Sequence, residues 1–321
     1  MKNGALVVSL DFELLWGVFD KVDWKQKQEY FLNTRKLIPE ILRLFEQHEV
    51  SCTWATVGML FNDNWDEWNY NIPKVIPEYR NKKLSAYNYG KSIQSKETEK
   101  LCFAPDLIRK IKETQGQEIG THTYSHYYCR ESGQTVESFR ADLLQSKKLA
   151  KKVEIKLNSL VFPRNQINPE YLKLCQEIGL SSVRSNPDNW YWKNTHKDSL
   201  LQKIFRTGDA YLGTNDKSYK TSKIETFNRG LEIQKASRLL RPHSSRVIQN
   251  KLKIRRIFSE MEWAAKQGEI YHLWWHPHNF GKNPLENIME LKIILEKFSV
   301  LNGKYGFNSK NMNSVKNYSI I

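Results

Sequence analysis

Two histidines stand four residues apart in Glu118-Ile119-Gly120-Thr121-His122-Thr123-Tyr124-Ser125-His126, directly after a short apolar run that reads as a strand. On a helical turn, positions i and i+4 lie on one face, so both imidazoles could reach a single divalent ion. The chain has eight histidines, enough for this spacing to arise by chance, so the pair needs a carboxylate before it means a metal site. Near the N-terminus, Ala5-Leu6-Val7-Val8-Ser9-Leu10 reads as a buried strand that runs into Asp11-Phe12-Glu13. Alternate residues of a strand share a side, so Asp11 and Glu13 can both face whatever lies above the strand end. One carboxylate would ligate the ion with the histidines, and the other would take a proton from the water it activates. An N-cap or an ion pair is the competing role for Asp11, and plain solvation the competing role for Glu13.

A third group ends another apolar run, in Ile270-Tyr271-His272-Leu273-Trp274-Trp275-His276-Pro277-His278-Asn279-Phe280-Gly281. A histidine at a strand mouth beside tryptophans that limit water is a suitable general acid near neutral pH. Period-two alternation puts Trp274, His276 and His278 on one side, and His272 with them if the strand is regular, so spacing alone leaves the acting histidine open. The tryptophans could stack on sugar faces or simply pack the core.

Together these segments resemble the polysaccharide deacetylases, a family of carbohydrate esterases, and the resemblance covers most of the chain. The family's metal-binding His-Ser/Thr-x-x-His motif is met by His122-Thr123-Tyr124-Ser125-His126. Its Thr-Phe-Asp-Asp motif is replaced by Ser9-Leu10-Asp11-Phe12-Glu13, with Phe12 in the usual ligand position. The resemblance then implies Asp11 as base and Glu13 as ligand, the ligand having moved one residue on. Ser159-Leu160-Val161-Phe162-Pro163-Arg164-Asn165-Gln166 stands where the family has Arg-Pro-Pro-Tyr, so Arg164 is expected to orient the base, with Asn165 and Gln166 toward substrate. The Asp-x-x-Asp-Trp motif is met loosely by Arg184-Ser185-Asn186-Pro187-Asp188-Asn189-Trp190, where Asp188 would tune the acid. The final Leu-x-His motif corresponds to Trp274-Trp275-His276, which makes His276 the expected acid and His278 the reserve; Trp274, Trp275 and His278 also join the substrate-binding set. What the family implies is hydrolysis of an N-acetyl group on a sugar, with zinc the default ion and cobalt, nickel, manganese or iron chemically suited to the same ligands. A glycan-binding protein of this fold that has lost the chemistry, or a hydrolase of another amide such as a cyclic ureide, are the alternatives. The two-histidine, one-carboxylate set also serves non-haem iron oxygenases, but those sit on an all-β jelly roll.

Strands and helices alternate as an α/β chain should. Leu37, Ile38, Ile41, Leu42, Leu44 and Phe45 mark one helix face, and Val50 to Val57 follows as a strand. Further helices are predicted through Leu107, Ile108 and Ile111, over Ser138 to Val153 and Pro169 to Ile178, from about Ser245 to Lys266, and from Pro284 to Phe298. Catalytic groups at the ends of successive strands are the arrangement of (β/α) barrels, and the resemblance implies a distorted, incomplete, TIM-like barrel of seven strands. One domain over 1–307 is expected, with insertions at about 62–100 and 191–245 and a frayed tail at 308–321. The first insertion is aromatic (Trp65, Trp68, Tyr70, Tyr79, Tyr87, Tyr89) and reads as a substrate-covering element. The second carries Arg206, Arg229, Arg238 and Arg241, with Arg246 just past its end, either lining an anionic partner or forming a solvated basic surface.

Net charge is +15 over 321 residues, with forty per cent apolar content. That charge favours polyanions and anionic membrane surfaces without choosing between them. No zinc finger, recognition-helix pattern or aromatic RNA-binding strand is present, so nucleic acid is not the expected partner. An N-acetylated sugar or glycan, nucleotide- or lipid-linked, is. Cys52, Cys102, Cys129 and Cys175 lack metal or redox spacing and suit a reducing compartment. No leader precedes the first strand and no run approaches the roughly twenty apolar residues of a membrane helix, so the expected location is the cytoplasm, peripheral to the membrane at most, among precursors of surface glycans such as lipopolysaccharide or capsule.

Overall fold

The computed structural model describes residues 3–192, 199–213, 217–228 and 230–315. Its first strand, β1 (Ala5–Phe12), is buried at every position, as a central parallel strand covered on both faces must be. Strands β2 (Cys52–Thr56), β3 (Gln117–Thr121), β4 (Ser159–Val161), β5 (Ser182–Ser185), β6 (Glu225–Phe227), β7 (Leu231–Lys235), β8 (Arg238–Leu239), β9 (Ile270–Trp275) and β10 (Asn308–Lys310) join it in one sheet. The order is β6-β7-β5-β4-β3-β2-β1-β9-β8, with β10 beside the first half of β1. All pairings are parallel except β6 with β7.

The helices are α1 (Trp24–Gln47), α2 (Trp65–Tyr70), α3 (Ala86–Ile93), α4 (Lys96–Cys102), α5 (Pro105–Glu113), α6 (Val136–Lys152), α7 (Pro169–Glu177), α8 (Leu200–Asp209), α9 (Val247–Gln267), α10 (Pro284–Tyr305) and α11 (Met312–Val315). The predicted helices match α1, α5, α6, α7, α9 and α10 to within a few residues at most ends, because their apolar faces have a 3.6-residue period and their starts carry caps such as Thr135 and Asn168. The result is a parallel-dominated α/β sheet that does not close, a distorted and incomplete TIM-like barrel. The segment 231–239 accounts for the distortion: its first half pairs with β5, Ala236 N donates to Ser185 O and Ser237 N to His272 O, and its second half pairs with β9.

Three expectations change here. The stretch 191–245 is no mere insertion, since it supplies β6, β7 and β8; Arg229 lies outside the described residues. Residues 308–315 are not frayed: β10 extends the ladder of β1 where β2 does not reach, and Met312 and Val315 are buried beneath it. The rest of that tail lies outside the described residues. Finally, the aromatics of 62–100 mostly point inward. Trp65 and Trp68 are buried on Trp16, Trp68 stacking on it at 6.2 Å, and Tyr87 is buried against Trp68, so these three brace the turn after β1 from within the core.

Candidate active site

Glu13 leaves the end of β1 into a one-turn 3₁₀ segment, Leu14–Gly17, whose first residue has φ 47°. A Cβ on Gly17 would overlap the Glu13 carboxylate, so glycine there is what lets the chain fold back against that side chain. Glu13 Oε1 faces two imidazoles, His122 Nε2 at 2.9 Å and His126 Nε2 at 3.1 Å. All three residues are buried. The expected helical turn is absent. His122 and His126 flank a loop with left-handed residues at Thr123 (φ 64°) and His126 (φ 53°). Asp142 of α6 fixes that loop by accepting from Tyr124 N, Ser125 N and Ser125 Oγ, at 2.6, 3.1 and 2.5 Å. Burial pushes the Asp142 carboxyl up to about 6 in spite of those donors. Tyr79 from the 62–100 stretch adds an acceptor for Tyr128 N.

The donor set fits a divalent cation. His122 Nδ1 lies 2.8 Å from Val161 O, and because a carbonyl only accepts, the ring proton belongs on Nδ1. In the neutral ring the Nε2 lone pair then points at a carboxylate oxygen, a repulsive pairing unless a cation lies between them. His126 Nδ1 lies 3.1 Å from Tyr128 Oη, a hydroxyl able to accept its ring proton. Burial pushes the His126 ring down to about 4, which keeps it neutral and available as a ligand. Burial would also raise Glu13, yet His276 and His126 outweigh it and hold the carboxyl well below its usual range. Ligand atoms of Glu13, His122 and His126 lie within 4.8 Å of one another.

Asp11, on the same side of β1, is held differently. Arg184 at the end of β5 donates from Nη1 to Oδ1 and from Nη2 to Oδ2, both at 2.7 Å, and from Nη1 to Ser9 Oγ at 2.9 Å. Burial alone would raise the Asp11 carboxyl; Arg184, then His122 and His276, hold it below its usual range. With both oxygens engaged by a guanidinium, Asp11 is poorly disposed as a ligand and well disposed as an oriented anion. His276 Nε2 lies 3.6 Å from Asp11 Oδ2 and 3.8 Å from Glu13 Oε1, on a ring that is 26% exposed. His278 is buried behind it, its Nδ1 3.5 Å from Glu13 Oε2 and its ring pushed down to about 4 by burial. His272 lies deeper, bonded to Ser9 Oγ at 2.8 Å.

The remaining expected residues divide. Arg164, expected beside the base, is not there: it sits in a left-handed turn (φ 54°), pairs with Asp20 and lies over the Tyr128 ring at 4.1 Å. Arg184 fills that place. It belongs to the segment compared with the Asp-x-x-Asp-Trp motif, and a lone arginine after Ser182-Val183 was its signal. Asn165 joins the Asp11 network by accepting from Arg184 Nη2 at 3.1 Å. Gln166 turns away, donating to Glu131 at 3.2 Å. Asp188 is nowhere near His276; it is exposed and pairs with Lys235 at 2.8 Å. Trp274 packs over the Arg184 guanidinium at 4.2 Å and against His276. Trp275, on the opposite face of β9, is core, between Phe45 and Phe280. Nor do the arginines of 191–245 all face outward, since Arg238 is buried on Glu260 at 2.5 and 2.6 Å.

A family model described as polysaccharide deacetylase matches residues 18–183. Among curated proteins no sequence matches. A structure from Mycobacterium smegmatis, assigned as a polysaccharide deacetylase, is 12% identical with TM-score 0.64, over 100% of this chain and 92% of its own. One so assigned from Pseudomonas aeruginosa PAO1 is 10% identical with TM-score 0.57, over 98% and 90%. An allantoinase is 11% identical with TM-score 0.58, over 98% and 89%. At such identities the likeness is one of fold.

Proposed function

The chain belongs to the polysaccharide deacetylase family, and from that premise we propose that it is a metal-dependent hydrolase that removes an N-acetyl group from a sugar of a surface-glycan precursor. The observation that carries this reading is the division of labour between two neighbouring carboxylates: Glu13 faces two imidazole nitrogens, while Asp11 is gripped by Arg184. Glu13, His122 and His126 would hold a divalent ion, zinc by default, which supplies Lewis acidity to an amide carbonyl and lowers the pKa of water. Asp11 takes the proton of the attacking water. Each of its oxygens keeps a lone pair beyond the one given to Arg184, and its depressed pKa keeps it ionised at neutral pH. His276 gives a proton to the departing nitrogen as the C–N bond breaks, leaving acetate and a free amine. Trp274 and Trp192 form an apolar wall beside it, their rings 6.3 Å apart.

Substrates carried on a nucleotide or a lipid within the cell are the class we assign. The excess of basic residues and four buried, unpaired cysteines support it. The test is acetate release by zinc-supplemented protein from nucleotide-linked and lipid-linked N-acetylhexosamines, with a cyclic ureide in the same panel. Asp11→Asn is expected to keep the metal and lose most activity, and His122→Ala to lose both. Loss of metal in Asp11→Asn would make Asp11 a ligand. No release by metal-loaded protein from any sugar would reject the deacetylase reading, in favour of another amide or of binding without turnover.

A further inference from the structure

α8 buries none of its ten residues. Leu200, Leu201, Ile204 and Phe205 recur at helical spacing on one face and are between 47 and 75% exposed. The helix is nonetheless firmly fixed. Ser199 and Gln202 form a capping box, Arg238 Nη1 donates to Asp209 O at 2.9 Å, and Arg241 Nη2 donates to Arg206 O at 3.3 Å. An apolar face is thus presented by a buried ionic network. It also adjoins the catalytic end: Phe205 packs on Trp190, Arg206 lies over Trp192, Trp192 meets Trp274, and Trp274 meets His276.

The same end of the sheet carries two more exposed apolar turns, Ile248 opening α9 and Leu285 opening α10, 74 and 76% exposed. The exposed charge on α8 and on the first turns of α9 is basic, while the α10 turn carries one exposed acid, Glu286. Residues 247–259 hold no acid; Lys253 and Arg256 are buried on Glu290 and Glu260, which leaves Lys251 and Arg255 outward, and the acid of α8, Asp209, is paired with Lys217. Lys203, Lys251 and Arg255 are exposed. Apolar side chains flanked by cations, lying flat on a surface, are the composition of helices that bind the interface of an anionic bilayer. A second copy would set a chain of +15 against another of +15.

We infer that the catalytic end docks on an anionic lipid surface through α8 and the first turns of α9 and α10, holding the His276 side of the site toward a sugar carried on lipid. The docking stands on these faces alone; only the sugar rests on the deacetylase reading. Co-sedimentation of the full chain with vesicles tests it, using equimolar phosphatidylglycerol and phosphatidylcholine against phosphatidylcholine alone. Expected are binding to the mixed vesicles, relief by salt, and a loss of more than about tenfold in Ile204→Glu/Phe205→Glu, whose replaced side chains are exposed and whose melting should not change. Lys203→Glu/Arg255→Glu should weaken binding as well. Equal binding to both vesicles, or full binding by the Ile204→Glu/Phe205→Glu variant, would overturn the inference. So would a dimer that this variant dissolves in the absence of vesicle binding, which would give the face to a second copy. Acetate release from a soluble sugar should persist in the variant. Its absence in the unaltered protein would reject the activity and leave the docking result standing.

Discussion

Replacing Arg184 by methionine keeps much of the side chain's bulk and removes the only cation bonded to Asp11 among the described residues. Both partners are buried, at 1% and 2% exposure, so little solvent is at hand to replace the guanidinium. Breaking one side of such a pair costs roughly 3–5 kcal/mol, because the carboxylate that remains is an uncompensated buried charge. For a chain of this size, that corresponds to a fall in Tm of roughly 4–7 °C. The cost should be largely coupled to Asp11. In Arg184→Met/Asp11→Asn the stranded charge is gone, and the double variant should regain about 2 kcal/mol or more over Arg184→Met. Urea unfolding with chelator present measures all corners of the cycle without metal linkage. A loss below about 1 kcal/mol for Arg184→Met, or costs that simply add, would refute the claim that this pair is a desolvated and mutually dependent unit.

Gly17→Ala should push the Glu13 carboxylate out of register and weaken metal binding by about tenfold or more in a chelator competition, with little change in fold. His272 is pushed down to about 3 by burial and by Arg184, so the folded state resists its protonation while the unfolded chain accepts it near 6.5. A depressed folded pKa contributes stability above the unfolded pKa, and that stability is lost as pH falls. Between pH 7 and pH 5 this residue alone should cost about 2 kcal/mol, and His272→Gln should flatten the unfolding profile by that amount. Asp142→Ala strands Tyr124 N and Ser125 N; roughly 3 kcal/mol and a drop in metal affinity are expected, read by unfolding and by metal titration.

Strands were legible because β1, β2 and β9 are short runs dominated by apolar, aromatic and β-branched residues, and runs of that kind have few other uses in a chain with helices between them. The pairing of His122 with His126 was legible from spacing, but its geometry was not, since a left-handed Thr123, followed by Tyr124 and Ser125 held by Asp142, does the work assumed of a helical turn. Arg164 misled because chain position beside Pro163 says nothing of direction, and its φ sends the side chain to Asp20. The rule that neighbours in a strand face opposite ways already implied that Trp274 and Trp275 could not both meet substrate. The aromatic stretch 62–100 resembled a lid because aromatics serve sugars and cores alike; only Trp16 on the other side of the contact decides between them. Among the described residues no helix is long and apolar enough to cross a membrane.

Asp11 lies on β1 and Arg184 on β5, four strands along the sheet. Laid flat, strands about 4.8 Å apart would separate the two by roughly 19 Å, yet their charged atoms meet at 2.7 Å. The bond is therefore a chord drawn across an arc. A ring that hydrogen bonds never complete is held to its radius partly by Asp11 itself, so that the curvature of the sheet and the aim of that carboxylate are set by the same two hydrogen bonds.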